Sequence, residues 1–146
     1  MAQTVYNIAK SRMASGDLDL NTDTLGMLLL KTTAAGAFNP DVDDIAELLA
    51  VATVAECDFT NYVRKTFVGT VTVDNTNDRA NIDAANVTWT TAGGALNNTP
   101  VAAVIYEELG VDSADIPIAY YDTNFGSVAT NGGDFTVNIT DFLRVA

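Results

Sequence analysis

Apolar and polar positions follow a helical period near the start of the chain and an extended period over most of the rest. In the first segment, the apolar positions at i, i+3, i+4 and i+8 are Val5, Ile8, Ala9 and Met13. This spacing places them on one stripe of a helix, and Gly16 stands where a glycine commonly ends one. The pattern predicts a helix or arm within residues 1–16, which is too short to be stable unless it docks on another surface.

Residues 17–60 predict a mixture of strand and short helix. A polar turn over Asp17–Asp23 precedes Thr24–Lys31, a nearly continuous apolar run of the kind found in strands covered on both faces. Further on, Asp41 is expected to cap a second short helix, with Asp44 three residues later. The expected inward face of that helix consists of Ile45, Leu48 and Leu49.

From residue 61 onward the pattern alternates with the period of a strand. In the first strand segment, the residues expected to face inward are Val63, Phe67, Val71 and Val73, and those expected to face outward are Arg64, Thr66, Thr70 and Thr72. Later strands are expected at Asn86–Thr91, Val101–Leu109, Ile116–Asp122 and Asp134–Thr140, with inward side chains Val87, Trp89, Phe135, Val137 and Ile139. The turns between strands are expected at Gly93-Gly94, Asn97-Asn98, Asn124–Gly126 and Asn131–Gly133.

Short strands separated by such turns are typical of antiparallel sheets. We therefore predict a mainly β fold, an antiparallel β-sandwich or small barrel with two short helices in the N-terminal third. The length suits one domain. Within it we expect the helix or arm of residues 1–16, the mixed segment of residues 17–60 and an antiparallel β core over residues 61–146.

The composition excludes several classes of function. The 146 residues include 7 Lys and Arg against 19 Asp and Glu, a net charge of −12 that repels nucleic-acid phosphates. There is no histidine and one cysteine, so Ser-His-Asp and Cys-His catalysis, imidazole metal sites and an internal disulfide are excluded. The chain begins without a signal-peptide pattern, and its longest mainly apolar stretch, Leu48–Ala55, is too short to cross a bilayer. We expect a soluble protein, folded in the cytoplasm where it is made, with no nucleic-acid or membrane partner.

Two acidic clusters are candidate cation sites. The cluster in Asp17–Asp23 begins like a calcium loop, but Thr22 stands where an EF-hand needs glycine and Leu28 where it needs a bidentate Glu. The second cluster, Asp74–Asp78, is rich in the Asn and Asp residues that reverse strands, and Arg79 is expected to neutralise a neighbouring carboxylate. We expect two solvated turns and no complete metal site.

Candidate catalytic residues are few. The carboxylates of Asp43, Asp44 and Glu47 lie close in sequence, but no nucleophile or metal ligand stands beside them. Cys57 has acidic neighbours rather than a cation that would activate it, so it is expected to be an inert thiol. We therefore expect no enzyme activity, no catalytic residue and no cofactor.

Aromatic residues offer one further possibility. Trp89 and the pair Tyr120-Tyr121 could line a sugar platform, although aromatic side chains on alternating strands more often pack in the core. A carbohydrate-binding adhesion module is therefore an alternative function.

Three consecutive segments resemble a family of small structural proteins of tailed bacteriophages. They are an Asn-Tyr-x-Arg-Lys strand within Asn61–Phe67, a Thr-Asn-Asp-Arg turn within Val71–Arg79 and a Val-Thr-Trp strand within Ile82–Trp89. Segments that extend the similarity are Val104–Tyr106, Ile116–Asp122 and Thr130–Val137. The resemblance covers most of the chain from Asn61, whereas the first sixty residues are less similar.

This resemblance implies a protein of the virion. The expected role is a capsid decoration or cement protein that binds the outer surface of the major capsid protein lattice and stabilises the head. A neck or tail adaptor is the alternative within the same class. Decoration proteins act at symmetry axes, where closed rings combine many weak contacts, so the resemblance also implies a homo-oligomer, with a trimer favoured.

The N-terminal helix is the expected contact with such a partner. The candidate contact residues are Val5, Ile8, Lys10, Arg12 and Met13. They combine an apolar stripe with two basic residues in an otherwise acidic chain, and chain ends are often held in place by docking on a neighbour. The alternative is that the stripe packs on the protein's own sheet.

Overall fold

A computed structural model describes residues 4–33, 38–122, 125 and 128–145. The helices in these segments are α1 (Asn7–Ser15) and α2 (Ile45–Ala50). The strands are β1 (Thr4–Val5), β2 (Leu25–Thr33), β3 (Val54–Glu56), β4 (Lys65–Phe67), β5 (Thr70–Asp74), β6 (Arg79–Asp83), β7 (Val87–Trp89), β8 (Ala102–Glu107), β9 (Ile116–Tyr121), β10 (Phe135–Val137) and β11 (Leu143–Val145). Asn124 and Gly126 of one predicted turn lie outside the described residues.

The large sheet is built around β2. Its strand order is β1-β9-β8-β2-β3, with β4 pairing beside β3 on the same edge of β2, and every pairing is antiparallel. The apolar run from Leu25 to Leu30 is buried on both faces of this strand, as the continuous pattern predicted. An interior strand of this kind needs apolar side chains on both sides because layers of the protein cover both.

Two smaller antiparallel sheets, β10-β7 and β11-β6-β5, cover one face of the large sheet. The core between these layers includes Met27, Leu29, Ile105, Ile82, Trp89, Ile139 and Phe142. On the opposite face, α2 and neighbouring residues cover Leu28, Leu30 and Val104 with Tyr6, Val42, Ile45 and Leu48. The prediction of a mainly β, antiparallel, sandwich-like fold with two short helices near the N-terminus is confirmed.

The strands of the C-terminal half face the core as the alternation predicted. Val87 and Trp89 on β7 are buried, as are Val137 on β10 and Ile139 just after it. Phe135 packs against the same core while remaining partly exposed. Their burial follows from the pairing of β7 with β10, which turns one apolar face of the pair towards the large sheet.

The ends of the two helices differ in how well the sequence predicted them. Gly16 ends α1 with φ of 80°, a left-handed conformation that favours glycine. The prediction that Asp41 caps α2 is wrong, because Asp44 Oδ1 accepts the Glu47 backbone N–H at 2.7 Å. Asp41 instead accepts a hydrogen bond from the Asn7 side chain at 2.8 Å. Both Asp residues suit a cap, but α2 begins only at Ile45, where the Ile45 and Ala46 backbone N–H groups donate to the Asp115 and Asp112 carbonyls, each at 3.0 Å.

The inward face predicted for residues 62–73 is largely wrong. Only Phe67 packs on the core, where its ring meets Phe142 edge-on. Val63 is 58% exposed, Val71 42% and Val73 77%. The segment forms two strands in different sheets, and β5 lies at the edge of the three-stranded sheet. Alternation shows which residues share a face, but whether another layer covers that face depends on the tertiary structure.

Gly26 interrupts the apolar run of β2 for a steric reason. It pairs across the sheet with Tyr106 on β8, and a Cβ at this position would overlap the buried Tyr106 ring. Gly26→Ala is therefore expected to lower the free energy of unfolding by about 1–3 kcal/mol, measured by urea denaturation. In a Tyr106→Leu background the same substitution should cost clearly less, and an equal cost in both backgrounds would contradict this explanation.

Candidate functional site

The Asn-Tyr-x-Arg segment before β4 forms a fixed polar cluster, which we call the Arg64 cluster and define as Glu56, Tyr62, Arg64 and Asp112. The Arg64 guanidinium binds both carboxylate oxygens of Glu56, at 2.8 and 2.7 Å, and pairs with Asp112. The Tyr62 hydroxyl donates to Glu56 Oε1 at 2.7 Å. The two-pronged geometry holds Arg64 in one orientation.

The backbone of the motif and its neighbours position this cluster. Asn61 has φ of 69°, and its side chain donates to the Thr91 carbonyl at 3.0 Å. Tyr62 Oη accepts the Leu29 backbone N–H at 3.0 Å, which ties the motif to the central strand. The guanidinium carbon of Arg64 lies 5.7 Å from the centre of the Tyr106 ring. The motif residues therefore act together as a brace between β2, β3 and the loop after β8.

Sequence reasoning placed Arg64 only on the outward face of a strand and did not find this cluster. Its acidic partners are 8 and 48 residues away along the chain, so no local spacing marks them. The single available signal was the resemblance, which includes Tyr62 and Arg64 in one motif.

The electrostatics of the Arg64 cluster fix the charge state of two of its members. Hydrogen bonds from Arg64 to Glu56 raise the pKa of the guanidinium, and burial raises the pKa of the Tyr62 phenol well above its usual range. The guanidinium therefore stays charged and the phenol stays neutral at neutral pH.

Three exposed apolar residues lie within three positions of Arg64 or Asp112 along the chain. Val63 is 58% exposed, Leu109 49% and Val111 59%, and we call these three residues the apolar rim. Val63 precedes Arg64 and Val111 precedes Asp112, so the Arg64–Asp112 ion pair brings the two valines to the same part of the surface. Contiguous exposed apolar patches are typical of protein-binding sites.

The apolar residues predicted for partner contact in the N-terminal segment lie against the protein's own core. Val5 is in β1, where it pairs with Ala119 of β9, rather than in the helix. Val5 and Met13 pack on the core beneath the smaller sheets, and Ile8 packs on the core of the opposite face. These three side chains are partly buried within the single chain.

The two basic residues of the segment differ from each other. Arg12 Nη2 lies 3.0 Å from Glu107 Oε2, which fastens α1 to β8. Lys10 is exposed, and its ammonium donates to the Asn7 side chain at 3.2 Å. The segment therefore docks on its own sheet, the alternative that the sequence left open, while its contact with a partner stays a prediction.

Both acidic clusters form turns. Asp19 Oδ1 accepts the Asn21 backbone N–H at 3.0 Å, and Asp23 Oδ2 accepts that of Asp19 at 2.7 Å. In the hairpin between β5 and β6, Arg79 Nε donates to Asp74 Oδ2 at 3.1 Å, so the predicted turn and the predicted pairing of Arg79 are confirmed. Over the described segments, no group of three or more acidic or cysteine side chains is placed to hold a metal ion.

The aromatic residues considered for a sugar platform are buried. Trp89 is fully buried, Tyr120 is 4% exposed and Tyr121 is 1% exposed. Buried rings cannot stack on a sugar from solvent, so the hypothesis that these residues line a sugar platform is wrong. Cys57 is also buried, which raises the pKa of its thiol to about 12 and keeps it protonated.

Two buried carboxyls on and beside the large sheet predict an unusual pH dependence. Burial raises the pKa of Glu107, more than Arg12 lowers it, and burial likewise raises the pKa of Asp115. The native state therefore binds these protons more tightly than the unfolded state, so the free energy of unfolding increases as pH falls through the raised pKa values.

The melting temperature is expected to be higher at about pH 5 than at about pH 7. Below about pH 4 the trend should reverse, because a hydrogen bond from Asn77 lowers the pKa of Asp74 and this stabilisation is lost when Asp74 is protonated. Thermal melts of the protein and of Glu107→Gln check this, since the variant should show a smaller rise. A melting temperature that falls between pH 7 and pH 5 would refute the assignment.

The fold defines the class of this protein as a mainly β, antiparallel, sandwich-like domain with two short helices. Comparison with protein-family models, with curated proteins and with solved structures finds no match. Neither helix in the described segments is long and apolar enough to cross a membrane.

Proposed function

We propose that this protein is a non-enzymatic structural component of a tailed-bacteriophage virion. Its role is that of a capsid decoration or cement protein that binds the outer surface of the major capsid protein lattice and stabilises the head. The supporting observation is that the Asn-Tyr-x-Arg motif of the resemblance forms the hydrogen-bonded Arg64 cluster, and that the exposed residues of the apolar rim lie next to Arg64 and Asp112 along the chain. Such an arrangement suits a surface that binds another protein without changing shape.

Charge supports a protein partner rather than nucleic acid. The net charge of −12 repels phosphate backbones, so a subunit on the outside of a shell would not adhere to DNA. The apolar rim supplies the contact that such a charged surface needs, because burying it on the lattice removes exposed apolar side chains from water. The protein acts in several copies, and the trimer favoured by the resemblance stays a prediction.

The location of the protein in purified particles tests this proposal. In virions of the phage that encodes the chain, cryo-EM should show the domain on the outer head lattice, at a copy number that follows the lattice symmetry. Density confined to the neck or tail would replace decoration with the adaptor role. Absence from the particles would refute a virion function altogether.

A substitution in the apolar rim tests the surface itself. Val111→Asp is expected to weaken binding to shells that lack the protein by at least about tenfold, because it places a charge where an apolar contact is lost. Val128→Asp is the matched control, since Val128 is exposed to a similar extent (61%) but lies outside the rim. Equal binding by both variants would show that the rim is not the contact.

A further inference from the structure

The sheet of β5, β6 and β11 carries an apolar face of which only part is covered. Two cross-strand rows form this face, Val71–Ile82–Leu143 and Val73–Ala80–Val145. In the first row, Ile82 and Leu143 are buried in the core. In the second row, Val73 is 77% exposed and Val145 49%. The apolar face thus continues past the end of the core into solvent.

Strand β5 also has peptide groups that no other strand of its sheet pairs. It is the last strand of its sheet. The Val71 backbone N–H donates a hydrogen bond to Asn21 Oδ1 at 3.3 Å and not to β6. Because peptide groups alternate in direction along a strand, those of Val71 and Val73 both point away from β6. Edge strands are commonly protected by proline or lysine, and β5 (Thr-Val-Thr-Val-Asp) contains neither.

We propose that β5 pairs with β5 of a second copy of this chain, antiparallel, about a two-fold axis at Thr72. In this register Val71 lies opposite Val73 of the partner subunit, and Thr72 lies opposite Thr72 of the partner subunit. The outward peptide groups of each Val71–Val73 pair then exchange both backbone hydrogen bonds. The carbonyl of the partner replaces the exposed Asn21 side chain as the acceptor for Val71.

The sequence of β5 is complementary to itself in this register. All five residues pair, the valines meet on one face and the threonines on the other. The single charge, Asp74, lies opposite the uncharged Thr70 of the partner subunit, and its own Arg79 already neutralises it at 3.1 Å. A shift by one residue would set valine against threonine and mix the two faces. A shift by two would keep the faces but leave two of the five residues unpaired, so this register pairs the most residues.

The pairing covers the most exposed valine of the hairpin. Val73 gains an apolar neighbour in Val71 of the partner subunit, and the two apolar faces join into one across the new six-stranded sheet. A two-fold contact of this type closes with two copies. It therefore predicts a dimer in solution rather than the trimer favoured by the resemblance, and it does not depend on a role in the virion.

Sedimentation velocity over a concentration series tests the proposal on the full chain. The protein should be in equilibrium between monomer and dimer, and Val73→Lys should raise the dissociation constant at least about tenfold by placing a charge on the edge. Val111→Lys is the matched control, because Val111 is exposed and lies outside the hairpin. A protein that is monomeric or trimeric at every concentration, or a dimer equally sensitive to both variants, would overturn the proposal.

Disulfide trapping tests the register directly. Thr72→Cys should form an intermolecular disulfide under mild oxidation, because the two introduced thiols would be on direct cross-strand neighbours. Thr70→Cys should not, since the two copies of this position are about four residues apart along the paired strands, roughly 13 Å. The native Cys57 is buried and does not interfere. Equal cross-linking of both variants, or none of either, would refute this register.

Discussion

Trp89→Ala is expected to lower the free energy of unfolding by about 3–5 kcal/mol, a large part of the stability of an ordinary domain. Trp89 is the last residue of β7, and its side chain is fully buried in the core that the smaller sheets form with the large sheet. Its indole N–H donates to the Val63 carbonyl at 2.7 Å, and its ring is parallel to that of Tyr62 at 6.4 Å. The substitution therefore leaves a cavity. It also removes the hydrogen bond to the Val63 carbonyl, which holds the motif segment against the core.

Urea denaturation with a matched variant separates these two effects. Trp89→Phe keeps most of the ring volume but removes the indole donor, so it should cost clearly less than the alanine variant. A cost below about 1 kcal/mol for Trp89→Ala would contradict the position of this side chain in the core.

Arg64→Ala should have the second-largest effect, a loss of about 2–4 kcal/mol in the free energy of unfolding. The side chains of Arg64 and Glu56 are 24% and 21% exposed, so removal of the guanidinium leaves the Glu56 carboxylate partly buried beside Tyr62 without its cation. An unpaired charge in this position costs more than the ion pair contributes. Chemical denaturation measures the loss.

Two further variants distinguish the paired geometry from charge alone. Arg64→Lys keeps the positive charge but not the two-pronged contact with Glu56, so it should recover only part of the stability. Asp112→Asn should cost less than Arg64→Ala, because the Asp112 side chain is 42% exposed and water compensates for the lost contact. Full recovery of stability by Arg64→Lys would show that the two-pronged contact with Glu56 contributes nothing to the free energy of unfolding.

Local pattern was sufficient for much of the fold. The continuous apolar run predicted β2 as a strand buried on both faces, because side chains of such a strand contact a layer on each side. Asn and Asp residues predicted the turn after Asp74, since these side chains bond to the backbone a few residues away. Gly16 predicted the end of α1 through its left-handed backbone. The turn and the helix end depend on interactions within a few residues, whereas β2 could be predicted because nearly every position of the run is apolar.

The features that the sequence did not reveal depend on contacts between distant residues. Arg64 is 48 residues from Asp112, and the covering of β5 depends on where the edge of its sheet lies relative to the core. The same holds for Arg12, which meets Glu107 95 residues away. Residue spacing determines which side chains share a face of a strand or helix. Only the packing of sheets and helices decides which of those faces is buried, which ion pairs form and which surface stays open for a partner.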